Sequence, residues 1–282
     1  ADAYSTCQVI TKVGAKNFYY AFLTLPKAKR QAIYAAYAFC RITDDISDDL
    51  VGEERETGLA DLHKALDSAY SNTPDGAVFI ALGDAANQFH IPKSYFEDVI
   101  KGVEMDLTRN RYDTFEELRE YCYHVASVVG LICVEVFGYS DDRAVASAID
   151  LGIAMQLTNI MRDVGEDAER DRIYLPLEDL RRFGYTEEQL LTGVWNENFH
   201  ALMKFEAERT REYFARGTRL FNLLDRRSRA CPQTLASVYA RILSKMEHEK
   251  FPVFEKRIGI SKFTKLAMVA RLWIMNRIPR PI

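Results

Sequence analysis

Four polar side chains recur at helical spacing inside an otherwise apolar stretch, residues 151–176. They are Gln156, Asn159, Asp163 and Asp167, at relative positions 0, 3, 7 and 11. At about 100° per residue of α-helix they span an arc of roughly 80°, so one helix would present two amides and two carboxylates on one face. Burying two unpaired carboxylates costs several kcal/mol, so positive charge must face them. Arg162 could pair with one of them. A hard divalent cation could serve the whole set, because carboxylate and amide oxygens are the ligands that Mg²⁺ prefers.

A second acidic cluster repeats this arrangement in residues 34–49. Tyr37, Arg41, Asp44 and Asp48 stand at relative positions 0, 4, 7 and 11, again on one helical face. Two acidic helices that face one another across a cavity could hold Mg²⁺, or Mn²⁺, against a diphosphate. A solvated acidic helix end could explain either cluster alone, but it is a weaker explanation of both together. The sequence therefore predicts a metal site formed by Asp44, Asp48, Asp163 and Asp167.

Long helices must carry both clusters. The sequence predicts helices at 28–48 and 141–167, and Pro176 prevents the second from resuming beyond the loop that holds Arg172 and Tyr174. We expect this loop to lie over the mouth of the cavity and to exclude water. No strand-type alternation runs over more than a few residues, so the pattern favours an all-α fold.

Two long segments resemble the signatures of the squalene/phytoene synthase family. Residues 151–176, LGIAMQLTNIMRDVGEDAERDRIYLP, resemble the second signature, with its order of Gly, Gln, Asn, Arg-Asp, acid and Arg-x-Tyr-x-Pro intact. Residues 121–136, YCYHVASVVGLICVEV, resemble the first signature. The first aspartate pair also follows YAFCR, as it does in that family. The similarity runs from about residue 15 to about residue 275.

The resemblance implies an all-α, single-domain isoprenoid-synthase helical barrel with a central cavity, spanning residues 1–282. It implies a Mg²⁺-dependent head-to-head condensation of two prenyl diphosphates. The favoured reading is that two farnesyl diphosphates give presqualene diphosphate, and continuation to a C30 squalene-type product, which would require NADPH, is left open. The alternatives are a phytoene synthase that uses geranylgeranyl diphosphate, a non-catalytic assembly factor, and a terpene cyclase, whose acidic motifs differ from those found here.

The same resemblance, together with side-chain chemistry, assigns roles to individual residues. Arginines can bind diphosphate oxygens in a bidentate manner, and tyrosines can steady a cation or assist proton loss. The bulky Phe22 and Tyr34 are expected at the deep end of the tail pocket and favour C15 over C20 substrates. The predicted catalytic residues are Tyr37, Arg41, Tyr121 and Arg172. The predicted substrate-binding residues are Lys16, Phe22, Tyr34, Ala126, Gly130, Gln156, Asn159, Arg162, Tyr174 and Arg257. The small Ala126 and Gly130 could instead serve helix packing.

The composition of the chain restricts the classes of binding partner and the cellular compartment that we expect. A net charge of −4 over 282 residues gives no reason to expect a nucleic-acid partner. Five cysteines without metal-ligand spacing indicate reduced thiols and a cytoplasmic location. No signal peptide and no apolar run of about 18 residues is present, so we expect no transmembrane segment. The basic, amphipathic segment 260–276 could be a core-packed helix with a solvated basic side, or it could contact a membrane peripherally.

Overall fold

Helices account for the regular structure of the computed structural model, which describes residues 2–15, 18–71 and 73–277. Within those ranges, extended pairing is limited to isolated bridges between Arg111 and Ile173 and between Tyr139 and Leu224. The predicted all-α fold is confirmed. In chain order the helices are α1 (Ala3–Gly14), α2 (Tyr19–Phe22), α3 (Lys27–Asp49), α4 (Gly52–Tyr70), α5 (Ala77–Phe89), α6 (Lys93–Thr108), α7 (Phe115–Cys122), a π-helical turn (Tyr123–Ser127), α8 (Val128–Phe137), α9 (Arg143–Ala168), α10 (Leu177–Arg182), α11 (Glu187–Leu191), α12 (Glu197–Gly217), α13 (Leu220–Leu223), α14 (Ala230–His248) and α15 (Lys262–Arg277).

Two of the residues predicted for the site cannot be placed from this description. Lys16 lies outside the described residues, and so does the side chain of Asp48, although the backbone of Asp48 belongs to α3. Both stay predictions.

The helices that carry the two acidic clusters match the predicted ones within two residues. Helix α3 runs over Lys27–Asp49 and α9 over Arg143–Ala168. Helix α9 lies at the centre of the molecule, where it packs against α8, α12 and α14. The apolar residues on either side of its polar face are mostly buried, as the sequence pattern requires. The helix therefore cannot rotate without exposing apolar side chains, and this holds the polar face in position.

A π-helical turn interrupts the long helix Phe115–Phe137. Backbone crowds this turn from two sides. A Cβ built on Gly152 of α9 would lie 2.5 Å from the Cα of Ser127, and a Cβ on Gly102 of α6 would lie 3.0 Å from the carbonyl carbon of His124. The glycines therefore let both neighbouring helices approach the turn directly, and the turn fixes how α7 and α8 face the centre of the molecule.

Two helical stretches among the described residues, Phe115–Phe137 and Arg143–Ala168, are long and apolar enough to cross a membrane by length and composition. In the most apolar 18-residue window of each stretch, 56% and 61% is buried inside the fold. Core helices of a folded protein pass the same test, so this finding is weak evidence for a span.

A buried charged network joins α10 to α12 away from the acidic clusters. Arg209 donates from Nη1 to Asp179 Oδ2 at 2.8 Å and to Glu206 Oε1 at 2.9 Å. Burial raises the pKa of Glu206 to about 8, although Arg209 opposes the shift. Glu206 is therefore a carboxyl group that the fold favours in its neutral form.

Helix α15 lies on the outside of the fold. It lies against α14 and α2, but none of its residues is buried. Its inner side packs against the core through Met268 while most of its residues are exposed, so both alternatives for this segment stay predictions.

Candidate active site

The first acidic cluster opens onto a polar cavity. Asp44 lines this cavity, whose volume is about 480 Å³, and Arg41 of the same helix lies beside it and forms an ion pair with Asp45. Tyr37 is half-buried one turn earlier on α3. The remaining lining residues come from elsewhere in the chain and include Ser47, Arg55, Asp106 and Arg172. Positive and negative side chains thus alternate around a space of a size that could hold a diphosphate.

Asp106, near the end of α6, lines the same cavity and was not predicted from the sequence. Its carboxylate accepts hydrogen bonds from the Tyr121 hydroxyl at 2.9 Å and from the Tyr174 hydroxyl at 2.8 Å. A signal was present, since Val99, Val103 and Asp106 fall on one helical face and both valines are buried. The negative end of a helix dipole repels a carboxylate at the helix C-terminus. A carboxylate that continues a buried face there therefore indicates specific hydrogen-bond partners.

The two tyrosines that donate to Asp106 pack against each other, and Tyr112 packs against both. The ring centroids of Tyr112 and Tyr121 are 5.2 Å apart, and those of Tyr121 and Tyr174 are 5.3 Å apart. Burial and the nearby Asp106 raise the pKa of Tyr121 well above its ordinary value. The Tyr121 hydroxyl therefore keeps its proton at neutral pH and acts as a hydrogen-bond donor.

Arg172 links the two acidic clusters. It donates from Nη1 to the Tyr174 hydroxyl at 3.2 Å and from Nη2 to the Asp106 carbonyl oxygen at 3.4 Å, and it lines the cavity that holds Asp44. The predicted loop is present, and the Ile173 N–H anchors it by donating to the Asn110 carbonyl oxygen at 2.9 Å. That this loop excludes water during a reaction stays a prediction.

The two carboxylates of the second acidic cluster differ in how fully positive charge compensates their burial. Asp163 accepts from Arg162 Nε at 2.7 Å and from Arg257 Nε at 2.9 Å. Burial would raise the pKa of Asp163, but these two guanidinium groups outweigh burial and hold it below its ordinary value. In Asp167, burial and the negative charge of Asp163 raise the pKa to about 7, against the opposing effect of Arg172. Arg172 and Arg170 therefore offset the burial of Asp167 only in part.

The donor set suits a hard divalent cation. Asn159 donates from Nδ2 to Gln156 Oε1 at 3.2 Å, whereas its Oδ1 is buried and has no hydrogen-bond partner among the described residues. This oxygen and the carboxylates of Asp163 and Asp167 lie on one face of α9, as predicted. No preassembled group of three or more acidic, His or Cys ligands occurs within the described residues. The chemistry of the donors fits a metal, and the four predicted aspartates stay candidate ligands.

Phe22 and Tyr34 lie in an aromatic cluster next to Tyr37. The ring centroid of Phe22 lies 6.4 Å from that of Tyr34 and 6.5 Å from that of Tyr37. Both Phe22 and Tyr34 are buried. Gly130 faces α9, since a Cβ there would lie 3.3 Å from the Ala148 carbonyl oxygen. Helix packing thus explains Gly130, and substrate contact by it or by Ala126, which is in the π-helical turn, stays a prediction.

Two further side chains approach the second cluster from distant parts of the chain. Lys265 of α15 lies close enough to Arg162 that burial, Arg162 and Lys262 lower its pKa. Tyr239 of α14 lies near Arg162 and Asn159, and its ring stacks on Phe18 with a centroid distance of 6.2 Å. No local sequence pattern marks either residue, because both reach the site only through helix packing.

Arg41, Asp44 and Arg172 line a polar cavity in this all-helical fold, and Arg172 also acts on Asp167 of the second acidic cluster. This is the arrangement expected of an enzyme that binds organic diphosphates. The sequence profile of the squalene/phytoene synthase family matches residues 11–264. The chain therefore belongs to the squalene/phytoene synthase family, whose members condense prenyl diphosphates head to head, and it is a prenyltransferase. This leaves the assembly-factor alternative without support.

Similar proteins and structures extend over nearly the whole chain. The 15-cis-phytoene synthase of Synechocystis sp. is 39% identical over 98% of this chain and 86% of the relative. The phytoene synthase of Mycobacterium tuberculosis is 36% identical over 95% of this chain and 90% of that relative. The crystal structure of a dehydrosqualene synthase in complex with ligand is 31% identical, with a TM-score of 0.89, covering 97% of this chain and 96% of that one. Squalene synthase HpnC from Alicyclobacillus acidocaldarius is 27% identical with a TM-score of 0.85, covering 88% and 94%.

Proposed function

We propose that this chain is a phytoene-type synthase that condenses two molecules of geranylgeranyl diphosphate into a C40 product. The observation that carries the proposal is the similarity to phytoene synthases, which reaches 38–39% identity over 94–98% of the chain in cyanobacterial relatives. The sequence analysis favoured farnesyl diphosphate from the bulk of two side chains. These relatives support its alternative instead, since similarity over the whole chain reports on many more positions of the pocket than two.

In the proposed reaction, the first diphosphate leaves and an allylic cation forms, which the double bond of the second substrate attacks. A bound divalent cation supplies charge neutralisation for the departing diphosphate, and Asp44, Asp48, Asp163 and Asp167 would hold it. Arg41 and Arg172 line the same cavity as Asp44, so they can bind diphosphate oxygens while the substrate is oriented.

Proton loss after the attack closes a cyclopropane ring in an intermediate that still carries the second diphosphate. Departure of that diphosphate, rearrangement and a further proton loss then give the C40 hydrocarbon. Each proton loss needs a base. The raised pKa of Tyr121, together with its hydrogen bond to Asp106, makes this tyrosine a donor rather than a base. Burial also raises the pKa of Tyr37, although Arg41 opposes the shift. We therefore favour the departed diphosphate as the base. The Tyr121 and Tyr174 rings, held by Asp106, form a rigid wall that can exclude water from the cation.

A second candidate is a C30 synthase that uses farnesyl diphosphate. The dehydrosqualene synthase structure supports it, because that structure superimposes with a TM-score of 0.89. Buried aromatic rings at Phe22 and Tyr34 are also consistent with a short tail pocket.

Product analysis tests both candidates. Purified protein with Mg²⁺ is given each substrate, with and without NADPH, and organic extracts are compared before and after phosphatase treatment. We expect a C40 hydrocarbon from geranylgeranyl diphosphate without NADPH. A C30 product from farnesyl diphosphate alone would overturn the proposal, and a C30 alcohol seen only after phosphatase would identify presqualene diphosphate as the end point.

Chain-length selection can be tested at Phe22. If this ring limits the tail pocket, Phe22→Ala should raise kcat/KM for the C20 substrate relative to the C15 substrate by several fold. Leu23→Ala is the matched control, because the neighbouring Leu23 is exposed and should leave the ratio unchanged. An unchanged ratio in Phe22→Ala would remove this residue from the pocket.

A further inference from the structure

The corner between α3 and α4 supplies the polar cavity with a third arginine. Arg55, in the first turn of α4, lines the same cavity as Arg41, Asp44 and Arg172. Among the described lining residues it is the one that α4 contributes. Neither of the two family signatures contains it, so Arg55 reaches the cavity through the packing of α4 beside the end of α3.

The corner that carries Arg55 is closely packed. Two extended residues, 50 and 51, join α3 to α4. Gly58 of α4 lets the end of α3 approach, since a Cβ there would lie 3.1 Å from Leu50 Cδ1 and 3.2 Å from Ile46 Cγ2. Carbon atoms in contact are normally about 3.5–4.0 Å apart, so a side chain at position 58 would push the two helices apart. The start of α4 is therefore held against the end of α3.

One edge of the Arg55 guanidinium is fixed by the backbone. Its Nε donates to the Leu50 carbonyl oxygen at 2.8 Å, just beyond the C-terminus of α3. A cation is favourable at this place, because the helix dipole puts partial negative charge at the C-terminus. Since Nε is used there, Nη1 and Nη2 are the donors that Arg55 can offer to the cavity. They form a planar fork that can bind two phosphate oxygens at once.

The other two arginines of the cavity have side-chain partners in the protein. Arg41 forms an ion pair with Asp45, and Arg172 donates to the Tyr174 hydroxyl. Among the described residues, the hydrogen bonding of Arg55 goes to one backbone carbonyl group. Arg55 can therefore bind a ligand without giving up its own contact, and a cation held in place before binding loses little conformational freedom on binding.

The balance of charge gives this arginine a purpose. The described lining of the cavity holds the carboxylates of Asp44 and Asp106 beside the three arginines. Two arginines would only balance these carboxylates, whereas the third gives the lining a net positive charge. A diphosphate brings further negative charge into this space, so it needs that surplus.

We propose that Arg55 binds the substrate diphosphate at the first acidic cluster and holds it in position while it departs. The side chain is anchored through Nε and binds phosphate oxygens through Nη1 and Nη2. This assigns a substrate-binding residue to α4, a helix that the sequence analysis left outside the site. The inference rests on the diphosphate chemistry of the proposed function and not on the length of the prenyl chain.

Calorimetric titration with inorganic diphosphate and Mg²⁺ tests the inference. Inorganic diphosphate is the leaving group of the reaction, so it probes the site whatever the chain length of the substrate. Arg55→Met removes the cation and keeps an apolar stem, and it should raise the Kd at least about tenfold because charge-assisted hydrogen bonds are lost. Arg55→Lys keeps the charge without the fork and should raise the Kd by only about threefold.

Lys64→Met is the matched control, because it removes a cation from the same helix. Lys64 is exposed and pairs with Asp61. It follows Arg55 by nine positions, which places it about 180° around the helix axis and therefore on the opposite face. The control should bind diphosphate like the parent chain.

Steady-state turnover gives a second readout. Arg55→Met should raise KM severalfold for each prenyl diphosphate that the parent chain accepts, because all of them carry the same diphosphate group. Lys64→Met should leave KM unchanged. This behaviour differs from that expected of Phe22→Ala, which should change the preference between chain lengths.

The outcomes separate diphosphate binding from a structural role. Loss of affinity in Arg55→Met with retention in the control supports the inference. An unchanged Kd, with a melting temperature that falls in both Arg55 variants, would show that this arginine only caps α3 and would overturn the inference. Equal weakening in the control would show a general effect of net charge and would also overturn it. A C30 product in the product assay would refute the proposed substrate and leave this inference standing.

Discussion

Replacing Gly152 by alanine tests the close packing that positions both halves of the site. A Cβ at this position would lie 2.5 Å from the Ser127 Cα and 2.8 Å from the Ser127 backbone nitrogen. Carbon atoms in contact are normally about 3.5–4.0 Å apart, so α9 and the π-helical turn would have to separate by about 1 Å. Backbone cannot rotate away as a side chain could.

The expected loss of stability follows from two opposing effects. Overpacking a close contact destabilises by about 1–3 kcal/mol, and a backbone neighbour places this case at the upper end. Alanine in a helix interior recovers up to about 1 kcal/mol relative to glycine. We therefore expect the free energy of unfolding to fall by about 2 kcal/mol, and Tm to fall by about 5 °C in a chain of this size.

Denaturant unfolding and calorimetry measure this loss, and turnover measures its effect on the site. Gly259→Ala is the control, since no atom lies within 4 Å of a Cβ there and its backbone needs no left-handed conformation. The control should stay within about 0.5 kcal/mol of the parent chain. If Gly152→Ala were as stable and as active as the control, the close approach of α9 to the π-helical turn would be refuted.

Three further predictions follow from the charged and hydrogen-bonded groups. Glu206 is neutral in the folded chain below about pH 8, whereas in the unfolded chain it ionises above its ordinary pKa. The free energy of unfolding should therefore fall as pH rises between about 5 and 8, by up to about 1.4 kcal/mol per pH unit. Denaturant titrations should show that Glu206→Gln flattens this slope. Asp44→Asn and Asp163→Asn should each reduce turnover at least about 100-fold while the circular dichroism spectrum is kept, because each removes a charge from the diphosphate site. Tyr174→Phe should lower the free energy of unfolding by about 1–3 kcal/mol, since Asp106 loses one of its two hydroxyl donors.

Each of these has an outcome that would contradict it. A pH slope unchanged in Glu206→Gln would mean that another group titrates. Near-normal turnover in either aspartate variant would remove that carboxylate from the reaction. Unchanged stability in Tyr174→Phe would show that Asp106 is satisfied without this hydroxyl group.

The sequence alone determined the features that arise within one helix. The spacing of Gln156, Asn159, Asp163 and Asp167 fixes a shared face because the helical repeat is local. In α9, Arg162 pairs with Asp163, one of the two carboxylates that the sequence offered it. The same reasoning predicted α3 and the loop after α9. It could not fix the chain length of the substrate from Phe22 and Tyr34, because the shape of a pocket depends on every helix around it.

Tertiary structure decided which distant groups join these local faces. Arg257 reaches Asp163 across 94 positions of sequence, and Asp106 meets Tyr174 across 68. Likewise, Gly102 and Gly152 of two other helices pack closely against the π-helical turn, which no pattern within the turn itself predicts. The pattern of α15 also allows burial or exposure equally, and only its packing against α14 and α2 leaves Phe263 and Ile274 exposed. The periodicity of polar and apolar residues can be read from the sequence, whereas the element that packs against each helix face depends on how the helices assemble.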